Sequence, residues 1–310
     1  MNQTIFLVLG LLAIAGIGSV VASNDDDQAP EGEPLDPRLE GGNMIEGGAE
    51  ADDISGTDDG DSIFADGQDE DKRIEPGGND TVRAGAGDDG IHTWNGNDQV
   101  DGGTGDDLIY TGRGEDTVSA DPGDDEVYLG MDDDLYGAYD LGADEGADTI
   151  DGGSGDDTIV TNLGGHSILG GLGDDRIEDH GGAVHIDGGE GDDLILSPDA
   201  SDAERPDTLL GGEGEDTIHA GAGDIVDGGE GADAIMLRSD AGGAADIVHD
   251  GADGITITLA EDYDGAESYE LVQDGDDVRI VLDGQDLAIL RDVLVENVGS
   301  IELLREAAAS

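Results

Sequence analysis

Apolar residues able to fill a core recur every nine positions through the middle of the chain, at Val82, Ile91, Val100, Ile109, Val118, Val127 and Tyr136. Two positions before each stands an aspartate: Asp80, Asp89, Asp98, Asp107, Asp116, Asp125 and Asp134. The residues around them follow Gly-Gly-x-Gly-x-Asp-x-apolar-x, most fully in Gly102-Gly103-Thr104-Gly105-Asp106-Asp107-Leu108-Ile109-Tyr110. Glycine permits positive φ and close backbone approach, so the first six positions make a tight turn. The x-apolar-x that follows is too short for a helix, and its Ile/Val bias suits a strand with one side chain inward.

Nine residues therefore make half a coil, and eighteen a full coil with two parallel strands facing each other across a thin aliphatic core. Successive coils stack at the inter-strand spacing of about 4.8 Å, so residues 47–249 predict roughly eleven coils over a length on the order of 50 Å. The motif Gly-x-Gly-x-Asp-x-[Ile/Leu/Val] starts at Gly85, Gly103, Gly112, Gly153, Gly171, Gly189, Gly212 and Gly229, and this register resembles the hemolysin-type (RTX) calcium-binding proteins. The resemblance implies an all-β fold, a right-handed parallel β-roll solenoid, in which calcium sits between successive turns on the same side. It also implies the ligands, which are the motif aspartate and the turn carbonyl oxygens. On this chain they map to Asp52, Asp61, Asp80, Asp89, Asp98, Asp107, Asp116, Asp125, Asp148, Asp157, Asp175, Asp193, Asp207, Asp216 and Asp233. The matching turn glycines are Gly85, Gly87, Gly103, Gly105, Gly112, Gly114, Gly153, Gly155, Gly171, Gly173, Gly189, Gly191, Gly212 and Gly214.

Charge changes the picture. The 79 acidic residues stand against 11 basic ones, a formal net charge of −68, with Lys72 the only lysine. Such a chain repels itself and by composition alone passes for disordered. The periodic apolar positions and the confinement of acids to turns argue for a fold that multiple Ca2+ ions, bound as cofactors, would complete. Calcium takes carboxylate and carbonyl oxygens, magnesium demands stricter geometry, and zinc prefers Cys and His. The chain has no cysteine, hence neither a disulfide framework nor a thiolate site. Nucleic acid is excluded as a partner because phosphate affinity needs Lys and Arg.

Four segments are predicted. Residues 1–23 contain an apolar stretch at 5–22, either a cleaved secretory signal or an uncleaved anchor and the sole route of membrane contact. Residues 24–46 form an acidic linker with prolines at 30, 34 and 37. Residues 47–249 form the roll, and 250–310 an antiparallel β cap that covers its open end, with an added role as a secretion signal read by type I export machinery. Ile255, Ile257 and Leu259 alternate, as do Val278, Ile280 and Leu282, with Asp-Gly turn signals at 274–275 and 283–284.

Irregularities in the period predict inserts. Asp134 to Asp148 and Asp193 to Asp207 each span fourteen residues, which places loops at about 135–143 and 197–206. Asp61 to Asp80 spans nineteen and reads as a whole coil plus one, with Lys72, Arg73 and Pro76 in a degenerate half-repeat. His166 and Val184 stand where aspartates are expected, so calcium there should be one-sided.

Other constellations add little. The six histidines read as surface residues, and no His-Glu-x-x-His occurs. Gly85-Ala-Gly87-Asp-Asp-Gly90 matches a dinucleotide fingerprint by letter but leads into a strand, not a helix. Trp94 lies in a turn, packed on the roll surface. Paired carboxylates recur in nearly every turn, and Gly-x-Ser-x-Gly is absent, so no catalytic arrangement stands out. The expectation is an exported, non-enzymatic, extracellular or cell-surface calcium-binding protein. The alternatives are a surface adhesin or surface-layer component, and the tail of an enzyme or toxin.

Overall fold

The computed structural model describes residues 43–48, 50–57, 59–66, 77–137, 146–197, 206–240, 243–249, 251–261 and 263–306. Strands alternate between two sheets, one of 14 strands and one of 12. In the first, the strands Gly90–Asn95, Leu108–Arg113 and Glu126–Met131 lie side by side and parallel. In the second, Thr81–Ala86, Gln99–Thr104 and Thr117–Ser119 do the same. Each strand thus pairs with the next-but-one in sequence, the signature of a coil that returns to the same sheet once per turn. This is a parallel β-roll.

The nine-residue apolar series supplies the core. Ile91, Ile109, Val127, Ile150, Ile168 and Ile186 stack along the first sheet, and Val82, Val100, Val118, Ile159, Ile177 and Ile195 along the second, all essentially inaccessible to water. A period of two within each strand turns one residue inward and leaves its neighbours outward. Parallel register at identical positions then places like on like, Ile109 beside Val127 and Ile150 beside Ile168.

Two sets of turns join the sheets. We call edge I the turns that lead from the first sheet to the second, and edge II those that lead back. Where the repeat is regular, equivalent residues on either edge lie 18 apart. Across the two predicted inserts the step becomes 23. Both inserts lie on edge II, but the first begins later than the spacing suggested. Leu135–Tyr136 is a short strand of the second sheet, paired with Thr117–Ser119 and Thr158–Thr161, and Tyr136 is buried in the core.

A second correction concerns the segment before Asp80. Ser62 pairs with Gly90 and Asp53 with Thr81, and the step there is 28. Asp61 and Asp80 are therefore half a coil apart on opposite edges, not a coil plus one, and the half-repeat expected around Lys72, Arg73 and Pro76 lies outside the described residues. Nineteen residues fit a coil plus one as well as half a coil plus ten; the pairing of Ile63 with Ile91 decides between them.

The roll also continues past residue 249. Gly254–Leu259 pairs parallel with Ala234–Arg238, Gln285–Arg291 parallel with Ala245–Val248, and Ile301–Arg305 parallel with Gly254–Leu259. Only Tyr269–Asp274, Asp277–Leu282 and Gln285–Arg291 run antiparallel to one another. The alternation of Ile255, Ile257 and Leu259 marks an inward face but not a strand direction. The exposed edge of the last coil offers a ready partner and takes the strand parallel. The two Asp-Gly turns are hairpin turns, with positive φ at Gly275, Asp283 and Gly284. Among the described residues no helix is long and apolar enough to cross a membrane, and residues 5–22 and 24–42 lie outside them. The last four residues of the predicted 24–46 linker, Asn43–Glu46, instead form a strand paired parallel with Asp61–Phe64, so the roll begins before residue 47.

Candidate metal centre

The turns stack because their glycines have no side chain. All fourteen predicted turn glycines have positive φ, among them Gly171 at 117° and Gly173 at 130°. A Cβ on Gly171 would collide with the carbonyl oxygen of Gly153 one coil earlier, and one on Gly173 with that of Gly155. Turn carbonyls therefore lie against the next turn along the edge.

The motif aspartates join the turns into two columns. On edge I the backbone N–H groups of Asp52, Asp80, Asp98, Asp116, Asp134, Asp157, Asp175, Asp193 and Asp216 each donate to Oδ1 of the next coil's aspartate, at 2.7–3.0 Å. The column ends on Asp233. On edge II the same bond links Asp61 to Asp89, Asp89 to Asp107 and Asp107 to Asp125. Each carboxylate thus uses one oxygen to tie coils together.

The other oxygen is the chemically telling one. Oδ2 of Asp80, Asp98, Asp116, Asp134, Asp157, Asp175, Asp193, Asp216 and Asp233 on edge I is buried without a hydrogen-bond partner, as are those of Asp89 and Asp107 on edge II. At Asp107, Asp157, Asp175, Asp193, Asp216 and Asp233 it faces the first glycine of the turn, a Cβ at Gly102 lying 2.7 Å from Asp107 Oδ2 and one at Gly152 2.6 Å from Asp157 Oδ2. Ala84, Thr93, Thr111 and Leu129 hold that position before Asp89, Asp98, Asp116 and Asp134. A buried polar atom without a partner is costly, and a repeated one needs an explanation.

Electrostatics give the same account. Burial pushes these carboxyls up, to about 6 at Asp89, Asp98 and Asp157, about 7 at Asp107, Asp175 and Asp193, about 8 at Asp116 and about 9 at Asp134. The backbone N–H from the neighbouring coil pulls each down, and like charges in adjacent turns, such as Asp98 beside Asp116 and Asp157 beside Asp134, push up again. A cation in the column would favour the ionised form at every step. No group of three or more His, Cys, Asp or Glu side chains that could hold a metal comes together among the described residues. A metal here must complete its shell with backbone carbonyl oxygens, which suits a hard ion such as calcium and not zinc. Buried carboxylate oxygens facing glycine-lined turns fit that ion.

Four predicted ligands do not share the pattern. Asp148 Oδ2 accepts from the Tyr136 hydroxyl at 3.1 Å and lies 3.2 Å from His166 Nδ1. Asp207 Oδ2 accepts from the Ser197 hydroxyl at 2.6 Å. Asp61 accepts from Asn43 Nδ2 on one oxygen and from Thr57 on the other, and Asp52 Oδ2 from the N–H of Gly48. Each has a protein donor at Oδ2, which Asp80, Asp89, Asp98, Asp107, Asp116, Asp157, Asp175, Asp193, Asp216 and Asp233 lack. Conversely, Asp134 belongs to the edge I column although its turn departs from the motif; its place in the nine-residue series was the available signal. A second, outward column also escaped the sequence reading. The N–H of Asp174 donates to Asp156 Oδ1 and that of Asp192 to Asp174 Oδ1, both at 2.9 Å and in the direction opposite to the inner column.

The histidine expectation is corrected in two places. His166 and His249 are buried, His166 in the edge II column, accepting from the N–H of Asp148, and His249 3.2 Å from Asp253. Trp94 lies in the strand Gly90–Asn95, paired with Gly112, rather than in a turn; it is at positive φ and stacks on His92 with ring centroids 3.7 Å apart.

No curated protein matches the chain. Five of its segments, residues 77–109, 101–136, 143–165, 169–197 and 204–235, match the RTX calcium-binding nonapeptide repeat, a family description spanning four copies. Most of the two aspartate columns lies in these segments, and over them, just under half of the chain, it is similar to the RTX calcium-binding repeat family.

Proposed function

We propose that this is an exported, non-enzymatic protein whose roll folds as calcium enters the turns outside the cytoplasm. The observation that carries this reading is the edge I column, where one buried carboxylate oxygen after another, from Asp80 to Asp233, has no protein donor. Without a cation those groups oppose folding through burial and mutual repulsion. With one, the free energy of binding becomes free energy of folding. Extracellular calcium modules bind with constants of about 10⁻⁴–10⁻³ M, so such a chain stays unfolded at cytosolic calcium and folds outside. Repetition along a column also separates these carboxylates from a catalytic pair, which a site needs once. The end strands of 250–310 shield the last coil, as solenoid termini require.

A circular-dichroism titration of the full chain tests this. Millimolar calcium should convert coil to β structure, and magnesium should not substitute. A spectrum indifferent to calcium, or an equal response to magnesium, would overturn it.

A further inference from the structure

The two edges of the roll differ beyond residue 134, and the difference is built from side chains that the repeat does not call for. On edge I the donor-less Oδ2 recurs without interruption from Asp80 to Asp233. On edge II it recurs at Asp89 and Asp107, and beyond Asp125 the protein supplies the donors itself. The Tyr136 hydroxyl reaches Asp148 Oδ2, the Ser197 hydroxyl reaches Asp207 Oδ2, and the N–H of Gly221 reaches Asp224 Oδ2 at 2.6 Å. Between them Thr161 donates to Asp179 Oδ1 at 2.7 Å, and the N–H of Gly181 donates to Asp179 Oδ2. All of these side chains are buried.

The origin is legible residue by residue. At the start of edge II turns, where Gly102 and Ala120 stand in the earlier coils, the later coils carry Thr161, Asp179 and Ser197. Ser197 thereby sits beside the aspartate of its own turn, Asp207, whereas Thr161 and Asp179 bond each other in the turns that hold His166 and Val184. Tyr136 reaches Asp148 from the core, in a column position otherwise held by Val118 and Ile159. Each edge II insertion also begins just after a donor and is followed by the aspartate which that donor satisfies: Tyr136 before Asp148, Ser197 before Asp207. A turn relieved of ion binding is free to accept an insertion. The turns of edge I carry none between Asp80 and Asp233, as the steps of 17, 18 and 23 along that column require no more than the edge II inserts.

We propose that edge II from Asp148 to Asp224 is a metal-free seam closed by hydrogen bonds, so that calcium lies in two rows of unequal length, a long one on edge I and a short one on edge II confined to the coils before Asp148. This rests on calcium binding by the roll and specifies which of its turns take part. A buried carboxylate whose second oxygen already accepts from a neutral hydroxyl has lost the vacancy that makes its counterpart a ligand, and displacing that donor leaves a buried hydroxyl unpaired.

The test counts calcium ions per folded chain by equilibrium dialysis, with β content followed by circular dichroism. Asparagine is the informative replacement, because its carbonyl oxygen keeps the column hydrogen bond while its NH₂ takes the place of Oδ2. Asp157→Asn and Asp193→Asn should each lower the count by at least one ion. Asp148→Asn and Asp207→Asn should leave the count unchanged. Should either of the latter fail to fold, Tyr136→Phe and Ser197→Ala remove only the donor and should likewise leave the count unchanged. Loss of ions in any folded Asp148, Asp207, Tyr136 or Ser197 variant overturns the seam while leaving calcium binding intact. A wild-type chain that binds no calcium overturns both.

Discussion

The backbone N–H of Asp175 donates to Oδ1 of Asp193 in the next coil at 2.8 Å, and Oδ2 of the same Asp193 is buried without a donor. One carboxylate thus does two jobs. Its first oxygen fixes the spacing of the coils, and its second is the one that would meet a cation under the proposed function. The two roles separate under mutation. Asp193→Asn keeps the acceptor and should mainly shift the calcium titration to higher concentration. Asp193→Ala also orphans the N–H of Asp175, at a cost of about 1–3 kcal/mol for an unsatisfied buried donor. Chemical denaturation in saturating calcium distinguishes them, and equal stability of the two variants would remove the structural role.

Gly171 tests the stacking of turns. Its φ of 117° is strained for any residue with a side chain, and a Cβ there would meet the Gly153 carbonyl. Gly171→Ala should therefore cost more than the roughly 1 kcal/mol of an ordinary glycine replacement and should force the Gly153 and Gly171 turns apart. Because coils couple chiefly to neighbours, hydrogen exchange should rise around 150–175 and stay protected near Ile109. Uniform loss of protection would contradict local coupling.

Much of this architecture could be read from the chain. The residues at nine-residue spacing are the core, from Val82 to Tyr136, and the predicted glycines all have positive φ. What spacing could not convey was direction and partnership. Gly254–Leu259 alternates as an antiparallel strand would, yet it pairs parallel because the last coil leaves an open edge. The nineteen-residue step from Asp61 to Asp80 was ambiguous in count and is settled only by the pairing of Ile63 with Ile91. Tyr136 and Ser197 lie 12 and 10 residues before the aspartates they satisfy, contacts that exist only once an insertion closes.

The raised carboxyls predict an unusual pH dependence in chelator. Asp107, Asp175 and Asp193 at about 7 and Asp116 at about 8 hold protons more tightly when folded than the unfolded value of 3.8. Where the folded state binds more protons, stability falls as pH rises. The apo chain should thus be most ordered below about pH 4 and lose structure progressively from there until pH passes the folded values of about 7 to 8. Calcium should reverse the sign over the same window, since it binds the ionised form. Thermal melts from pH 5 to 8.5 with and without chelator check this, and parallel curves would show that these groups are not the ones that couple folding to calcium.

Ligand loss and core loss should respond differently to calcium. Asp116 lies on edge I with a donor-less Oδ2, and Ile109 is fully buried in the core of the neighbouring half-coil. Asp116→Asn weakens one stretch of a long column, and the other turns continue to bind, so raising calcium should restore much of its stability. Ile109→Ala opens a cavity between Ile91 and Val127, its partners above and below, at a cost of about 2–5 kcal/mol. Added calcium stabilises both proteins but does not fill that cavity, so the gap from wild type should persist at every concentration. Neither change should alter binding around Asp193, several coils away. Thermal midpoints measured across a calcium series decide it: if the two variants trail wild type by the same margin throughout, Asp116 serves the turn alone and not the ion.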